Sequence, residues 1–436
     1  MQQVNLGMIG GGIVGSGVFH ALQLNGGLMA SRIGIKVAVR KVAVKAFDEP
    51  RPYPISRSLM TTDWQSVVND PDVHIVAELV GGTNIARTMI LSALKLGKPV
   101  ITANKALLSA HGEELFAAAE KYGTNLYYEA SVCGGIPIIK SLREGFVGNR
   151  INALYGIVNG TCNYILTRMK LEGAGFATVL ADAQKQGYAE TPPDLDIDGF
   201  DSQHKIGILA SLAHGFWVNP KKIHVEGIRH VNVLDIKFAN QLGYTVKLLG
   251  IIKKLESGCR VQVSVYPTLI PNAHVLAGVN HVFNAVFVRG DIVGDTLFYG
   301  RGAGKDATAS AVLSDLADAA LDLKFGTKHR VPPFVPHECA GAVIPIAEVV
   351  SQYFVRLDVV DRPGTLAKIA AIFGQSKIGI SSVIQPEGHE GKSVPLIFML
   401  HYASNGAVNN ALEKIGKLSV VKGKPVMLRV ENFQQI

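Results

Sequence analysis

From residue 2 to about residue 130, short apolar runs alternate with stretches of helical periodicity. "VNLGMIGG" reads as a strand, "VGSGVFHALQLN" as a helix and "IKVAVRKVAV" as a second strand. After a polar loop come "VHIVAELVGG" (strand), "NIARTMILSALKLG" (helix), "KPVITANK" (strand), "GEELFAAAEKYG" (helix) and "TNLYYEAS" (strand). Strands joined through helices at this spacing imply βαβ units and a parallel sheet. The pattern changes over 131–305. Helical stretches such as "TCNYILTRMKLEG" and "DSQHKIGILASLAHG" give way there to strand-like runs, "RVQVSVYPTLI" and "NAVFVRGDIVGDTLFYG". This is the signature of a separate α+β domain. One more helix, over about 306–325, is expected to return to the 1–130 domain. The proline-rich "VPPFVPHE" then separates a last unit, 351–436.

Bulk composition narrows the class. A chain of 436 residues has room for two or three domains, each with its own core. No apolar run is long enough to span a bilayer, and the N-terminus reads as a first strand, not a signal peptide. The cysteines (133, 162, 259 and 339) are widely spaced, which suggests neither a disulfide framework nor a zinc site. A reducing cytoplasm is the expected location. The net charge is +8, but no basic run is accompanied by an aromatic platform, so nucleic acid is not an expected partner. A basic bias suits phosphorylated cofactors and carboxylated substrates.

Candidate chemistry begins at Gly10-x-Gly12-x-x-Gly15, directly after a predicted strand and opening a helix. The first glycine permits a tight turn and the second lets a pyrophosphate approach the backbone. The third lets helix and strand pack closely, and the helix N-terminus faces the phosphates. The second strand is expected to end near Arg40. A cation there suits a ribose 2′-phosphate, whereas an acidic residue would suit the 2′-hydroxyl of NAD. NADP is therefore favoured, with NAD possible. Lys105 of "ITANK" falls at a predicted strand end, where ligands of open α/β sheets lie; alone, it reads equally well as a surface residue.

"DLDIDGFDSQHK" places Asp194, Asp196, Asp198 and Gly199 at the first positions of a calcium-loop pattern. The pattern fails on two counts. Its twelfth position is Lys205 where a bidentate carboxylate is needed, and Pro192 and Pro193 prevent a helix from running into Asp194. A solvated acidic loop capped at Asp201 is one account. The sharper account puts Asp201 and Lys205, four apart, on one helix face. Near the positive end of the helix dipole the lysine's deprotonation is eased, and the aspartate orients it for general acid–base work. Glu190 and the remaining aspartates could then receive an ammonium group.

Taken in order, the glycine motif, "TANK", "EASVCGGIPIIKSLREG", "NGTCNYIL", "GYAETPPDLDIDGFDSQHK" and "GRGAGKDATASAV" resemble the homoserine dehydrogenase family over about residues 1–330. "VRLDVVDRPGTLAKIAAIF" resembles an ACT domain. The resemblance implies a Rossmann-type doubly wound parallel sheet at 1–130, a substrate and dimerisation domain at 131–305, and a ferredoxin-like βαββαβ ACT domain at 351–436. It implies NAD(P)(H)-dependent interconversion of L-aspartate 4-semialdehyde and L-homoserine, on the way to threonine, methionine and isoleucine. Lys205 would give the proton to the aldehyde oxygen, with Asp201 and Lys105 assisting. Glu190, Asp196, Thr161 and Tyr188 would bind the substrate. Gly10, Gly12, Ile13, Val14, Gly15, Arg40, Lys105 and Gly302 would line the cofactor site. A monovalent cation, sodium or potassium, would be held on the Glu129 side by backbone oxygens of Val132, Gly134 and Ile136. An amino-acid effector, threonine by expectation, and a homodimer or homotetramer complete the set. No aspartate-kinase segment precedes the nucleotide domain, so a fused kinase is not expected.

The chain departs from the family pattern after "GRGAG". Where that pattern continues through a proline, this sequence has Lys305-Asp306-Ala307-Thr308, which leaves the part played by Gly302 open. Two other readings of these residues exist. One is a different NAD(P)-dependent amino-acid or semialdehyde dehydrogenase, from which substrate choice discriminates; the Glu190 and Asp196 pair argues for an amino-acid substrate. A nucleotide-binding regulator would have no reason to keep Lys105, Asp201 and Lys205 together.

Overall fold

In the computed structural model the apolar runs of the N-terminal segment form a parallel sheet. Its strands are β1 (Gln2–Ile9), β2 (Ile35–Ala43), β3 (Met60–Thr61), β4 (Ile75–Glu78), β5 (Val100–Thr102) and β6 (Leu126–Tyr127). Helices α1 (Ile13–Ile33), α2 (Gln65–Val68), α3 (Asn84–Lys95) and α4 (Lys105–Lys121) fall between them. The order is β3-β2-β1-β4-β5-β6. The winding reverses between β1 and β4, which opens a crevice at their C-terminal ends, the ligand position of such sheets.

The structure describes residues 1–255, 259–327, 330–337, 341–386 and 392–433, arranged as two compact units. One comprises Met1–Gly160, Asp201–Lys221 and Phe283–Gly341; the other comprises Thr161–Phe200, Lys222–Val282 and Ala342–Ile436. The middle segment 131–305 thus contributes to both.

In the first unit the sheet residues Leu6, Met8, Ile75 and Ile101 share a core with Val18 and Phe19 of α1. Val312, Leu316 and Ala319 of the helix Lys305–Phe325 join the same core. Burying each large aliphatic side chain contributes roughly 1.5–3 kcal/mol, so this late helix is integral to the nucleotide-type layer. Strands Ile151–Ile157, Phe283–Gly290 and Gly294–Arg301 pair antiparallel in the same unit.

In the second unit Tyr244–Lys254 pairs antiparallel with Arg260–Pro271, which meets the last strand, Val421–Val430, in parallel. That strand borders Val350–Val360, then Ser393–Ser404, then Ile380–Ile384. With helices Thr365–Gln375 and Asn405–Gly416 the C-terminal layer runs βαββαβ. Tyr353, Leu357 and Phe398 of its strands bury against Phe373, Val408 and Leu412 of its helices. No helix among the described residues is long and apolar enough to cross a membrane.

Two expectations need correction. β2 does not end near Arg40 but runs on to Ala43, and the β1 register skips at Leu6/Gly7 opposite Val39 and Lys41, which leaves Arg40 mid-strand. Cys259 is disulfide-bonded, against the expectation of no disulfide; fold, not sequence spacing, decides which distant cysteines meet. Cys133 and Cys162 are buried free thiols, and Cys339 lies outside the described residues, as do residues 387–391 of the loop "PEGHEGKSVP".

Candidate functional site

Three loops converge at the strand ends of the parallel sheet. Gly10, at φ 109°, makes the turn after β1, and a Cβ there would sit 2.6 Å from the Leu79 carbonyl oxygen. A Cβ on Gly15 would lie 2.0 Å from the Gly10 carbonyl oxygen, so only glycine lets α1 start this close to its own strand. At Gly12, the N-cap of α1, the space a Cβ would enter is open. Unfilled space in front of free helix amides is the cradle a pyrophosphate needs, so these residues fit a dinucleotide. Ile13 is exposed and Val14 packs on the core.

Beside them, buried Glu78 accepts from the Val80 and Gly81 amides at 2.9 and 3.1 Å and from the Thr102 hydroxyl at 2.7 Å. Asn104 caps α4 through the Leu107 amide and donates to the Gly82 carbonyl at 2.7 Å. Together these contacts fix the loop after β4 to the start of α4, and so place Lys105.

Arg40 is engaged elsewhere. Its guanidinium donates to Asp72 at 3.0 Å, with Asp70 3.9 Å away. The cations that follow the true end of β2 are Lys45, exposed, with Arg51 and Arg57 beside a cleft of about 380 Å³. Arg57 lies over the Phe47 ring and pairs with Asp48 at 3.0 Å.

The centre of the first unit's chemistry is Asp201. Its Oδ1 lies 3.0 Å from Lys105 Nζ, and its Oδ2 accepts from Lys205 Nζ at 2.7 Å and from Asn159 Nδ2 at 2.9 Å. Lys205 Nζ also donates to the Val158 carbonyl at 2.7 Å. The helix Phe200–His214 carries Asp201 in its first turn and Lys205 one turn on. The Lys205 side chain is 9% exposed and that of Lys105 is 40% exposed. One lysine is therefore sheltered and the other open. Burial alone would push the Asp201 carboxyl up, but the charges of Lys205 and Lys105, with hydrogen bonds from Lys205 and Asn159, hold it well below the usual carboxylate range. The Lys205 amine is thus sheltered between a carboxylate and a carbonyl that both accept from it.

Glu129 is buried, and both its carboxylate oxygens are used: Ile139 and Lys140 amides donate to them at 3.0 and 2.7 Å. Burial pushes this carboxyl up to about 7. What remains on the following turn is backbone. Cys133 and Gly134 lie consecutively in the left-handed region, at φ 55° and 40°, an unusual turn for the non-glycine residue. The Ile136 carbonyl already accepts from the Ile138 amide. Among the described residues no group of three or more His, Cys, Asp and Glu side chains could hold a metal. Gly302 is buried rather than lining an open site; a Cβ on it would overlap the Asn284 amide at 1.8 Å. Its neighbours Lys305 and Asp306 both engage Tyr53, by a cation–ring contact of 4.3 Å and a hydrogen bond of 3.1 Å.

In the second unit Thr161 donates to the Tyr188 carbonyl at 2.6 Å and lies 3.3 Å from Asp196 Oδ2. The Tyr188 ring packs on Tyr164, with centroids 4.9 Å apart. Asp194 and Asp198 are both paired with Arg229, while Glu190 is exposed. The acidic cluster is thus divided: two carboxylates are neutralised by an arginine, and Glu190 and Asp196 are not part of that pairing. Sequence reasoning missed Arg229, Asn159, Asn104 and Glu78. Asn159 and Asn104 do stand inside "NGT" and "TANK", where an amide residue among small ones was the available signal.

Comparison with known proteins gives the family. A family model for the NAD-binding domain of homoserine dehydrogenase matches residues 10–129, and one for homoserine dehydrogenase matches 137–317. The homoserine dehydrogenase of Pseudomonas aeruginosa is 41% identical over 99% of this chain and all of its own length. That of Bacillus subtilis is 36% identical over 99% of both. Among solved structures, the Thiobacillus denitrificans homoserine dehydrogenase superposes with a TM-score of 0.93 at 40% identity, over 99% of both chains. A hyperthermophilic archaeal homoserine dehydrogenase in complex with NADPH matches with a TM-score of 0.62 at 25% identity, over 74% of this chain and 98% of its own. This chain belongs to the homoserine dehydrogenase family of NAD(P)-dependent oxidoreductases.

Proposed function

We propose that the chain interconverts L-aspartate 4-semialdehyde and L-homoserine in the cytoplasm, towards threonine, methionine and isoleucine, with NADP(H) preferred over NAD(H). The observation that carries this reading is the Asp201 carboxylate bridging Lys105 and Lys205. When bound over Gly10 to Gly15, the dinucleotide supplies hydride to the aldehyde carbon or accepts it in reverse. As negative charge grows on the aldehyde oxygen, the Lys205 ammonium stabilises and protonates it, and the open Lys105 assists. Asp201 orients both lysines. In the reverse direction Lys205 must be neutral to take the hydroxyl proton. An ordinary lysine stays protonated up to about pH 10.4, so oxidation of homoserine rises towards alkaline pH.

Glu190 and Asp196 receive the substrate ammonium group, with Thr161 setting the Asp196 carboxylate and Tyr188 alongside. Lys45, with Arg40 and Arg57 each exchanging an aspartate partner, supplies positive charge for a 2′-phosphate, and Gly302 supports the loop by packing. Backbone carbonyl oxygens of Val132, Gly134 and Ile136 would hold a monovalent cation, sodium or potassium, on the Glu129 side. The C-terminal βαββαβ layer acts as an ACT unit for an amino-acid effector, with threonine the first candidate, and the chain assembles as a homodimer or homotetramer.

The test is homoserine-dependent reduction of NADP and NAD, in sodium and in potassium buffers, with and without threonine. The expected result is activity with both cofactors, a lower KM for NADP, and inhibition by threonine. No homoserine-dependent reduction with either cofactor would overturn the proposal.

A further inference from the structure

The most heavily built ion pair of the second unit lies outside the residues used so far. Arg429, on the last strand Val421–Val430, is 2% exposed. Its Nη1 and Nη2 donate to the two Glu226 oxygens at 3.0 and 2.9 Å. Its Nε and Nη2 donate to Asn405 Oδ1 at 3.1 and 2.8 Å, and the guanidinium lies 4.3 Å over the Tyr266 ring. A second donor, His224 Nε2, reaches Glu226 Oε1 at 2.6 Å. An ion pair with one partner buried is often no better for stability than apolar residues of similar volume. Its distinctive property is a bidentate fork, which fixes direction as well as distance.

What the fork fixes is the segment 226–229. The Glu226 amide donates to the Val265 carbonyl at 2.8 Å, and the Ile228 amide donates to the Ile197 carbonyl at 2.8 Å. A Cβ on Gly227 would lie 2.1 Å from the Ile197 oxygen and 2.4 Å from Asp198 Cα, so the two backbones touch. Arg229 then pairs with Asp194 and Asp198. The short helix Asp194–Ile197, which carries Asp196, is thereby seated on this segment by backbone contact and held by its flanking carboxylates.

We propose that Arg429 and Glu226 are positioning residues for Asp196, linking the last strand of the C-terminal layer to the acidic substrate segment. The inference rests on the reading of Asp196 as a substrate-ammonium ligand. The link acts on substrate binding and leaves cofactor binding alone. It gives the C-terminal layer a physical route to the homoserine KM.

The test is steady-state kinetics of Arg429→Lys, Glu226→Gln, the double variant and Arg229→Gln, the last an exposed position with little folding risk. The expected result is a rise in homoserine KM on the order of tenfold in each single variant, as loss of a charge-assisted hydrogen bond gives. The NADP KM and the kcat at saturating homoserine stay within about twofold, and the double variant is no worse than the worse single, as coupled neighbours behave. Unchanged homoserine KM in folded Arg229→Gln and Glu226→Gln, or additive effects in the double variant, would overturn the proposal. An inactive wild type would instead overturn the dehydrogenase reading beneath it.

Discussion

At the scale of residues, the proposed chemistry turns on one anion between two cations. The Asp201 carboxyl stays ionised to well below its ordinary 3.8, because folding gives it Lys205 and Lys105. Its contribution to stability is therefore complete above that ordinary value and is lost only as pH falls through the depressed one. No acid limb of the rate near pH 5 belongs to it. Asp201→Asn removes the charge and keeps the shape. Loss of charged hydrogen bonds worth about 1.5–3 kcal/mol should cut kcat roughly ten- to a hundredfold. Two unneutralised lysines then repel, so the alkaline limb of homoserine oxidation should move to lower pH; a pH–rate profile checks both, and an unmoved limb contradicts the assignment. Asp201 and Lys205 were legible because helical spacing alone puts residues four apart on one face. The grouping with Lys105 came only through the family resemblance, since no local pattern joins the start of α4 to a helix almost a hundred residues later. Arg229 was invisible for the same reason: nothing in its local sequence says it will neutralise Asp194 and Asp198.

At the scale of elements, the alternation of apolar runs and helical stretches gave the parallel sheet, because period and crossover length are local properties. Strand ends are less local. β2 continues past Arg40 because "KVAVRKVAV" is apolar-rich on both sides of the charged pair, and the pair is absorbed by the register skip and by Asp70 and Asp72. The glycine turn, by contrast, is dictated by contact. A methyl group at Gly15 would have to displace the Gly10 carbonyl 2.0 Å away, and overpacking of this kind costs roughly 1–3 kcal/mol. Gly15→Ala should therefore weaken NADPH binding by about fivefold to a hundredfold or more, read by quenching or enhancement of NADPH fluorescence. A dissociation constant equal to that of the wild type would contradict the cradle.

At the scale of the whole molecule, composition and motif order sufficed to identify an NAD(P)-dependent enzyme, but not how the chain distributes itself. Residues 161–200 and 222–282 belong with 342–436, while 201–221 and 283–341 return to the N-terminal unit. Such returns are set by burial of faces that look alike in sequence. The helix Lys305–Phe325 could be foreseen as a helix, yet only its packing with Val18 and Phe19 explains its apolar positions. The Cys259 disulfide is equally a product of the folded chain.

The proposed role of Lys205, sheltered and held by Asp201, is proton chemistry in a homoserine dehydrogenase. The most direct test is homoserine-dependent NADP reduction by Lys205→Ala beside the wild type, with NADPH affinity measured on both. Removing a donor at a developing oxyanion costs on the order of 10² to 10³ in kcat. The account predicts a fall at least that large with NADPH affinity unchanged. A folded variant that binds NADPH and keeps kcat within about tenfold of wild type would contradict it.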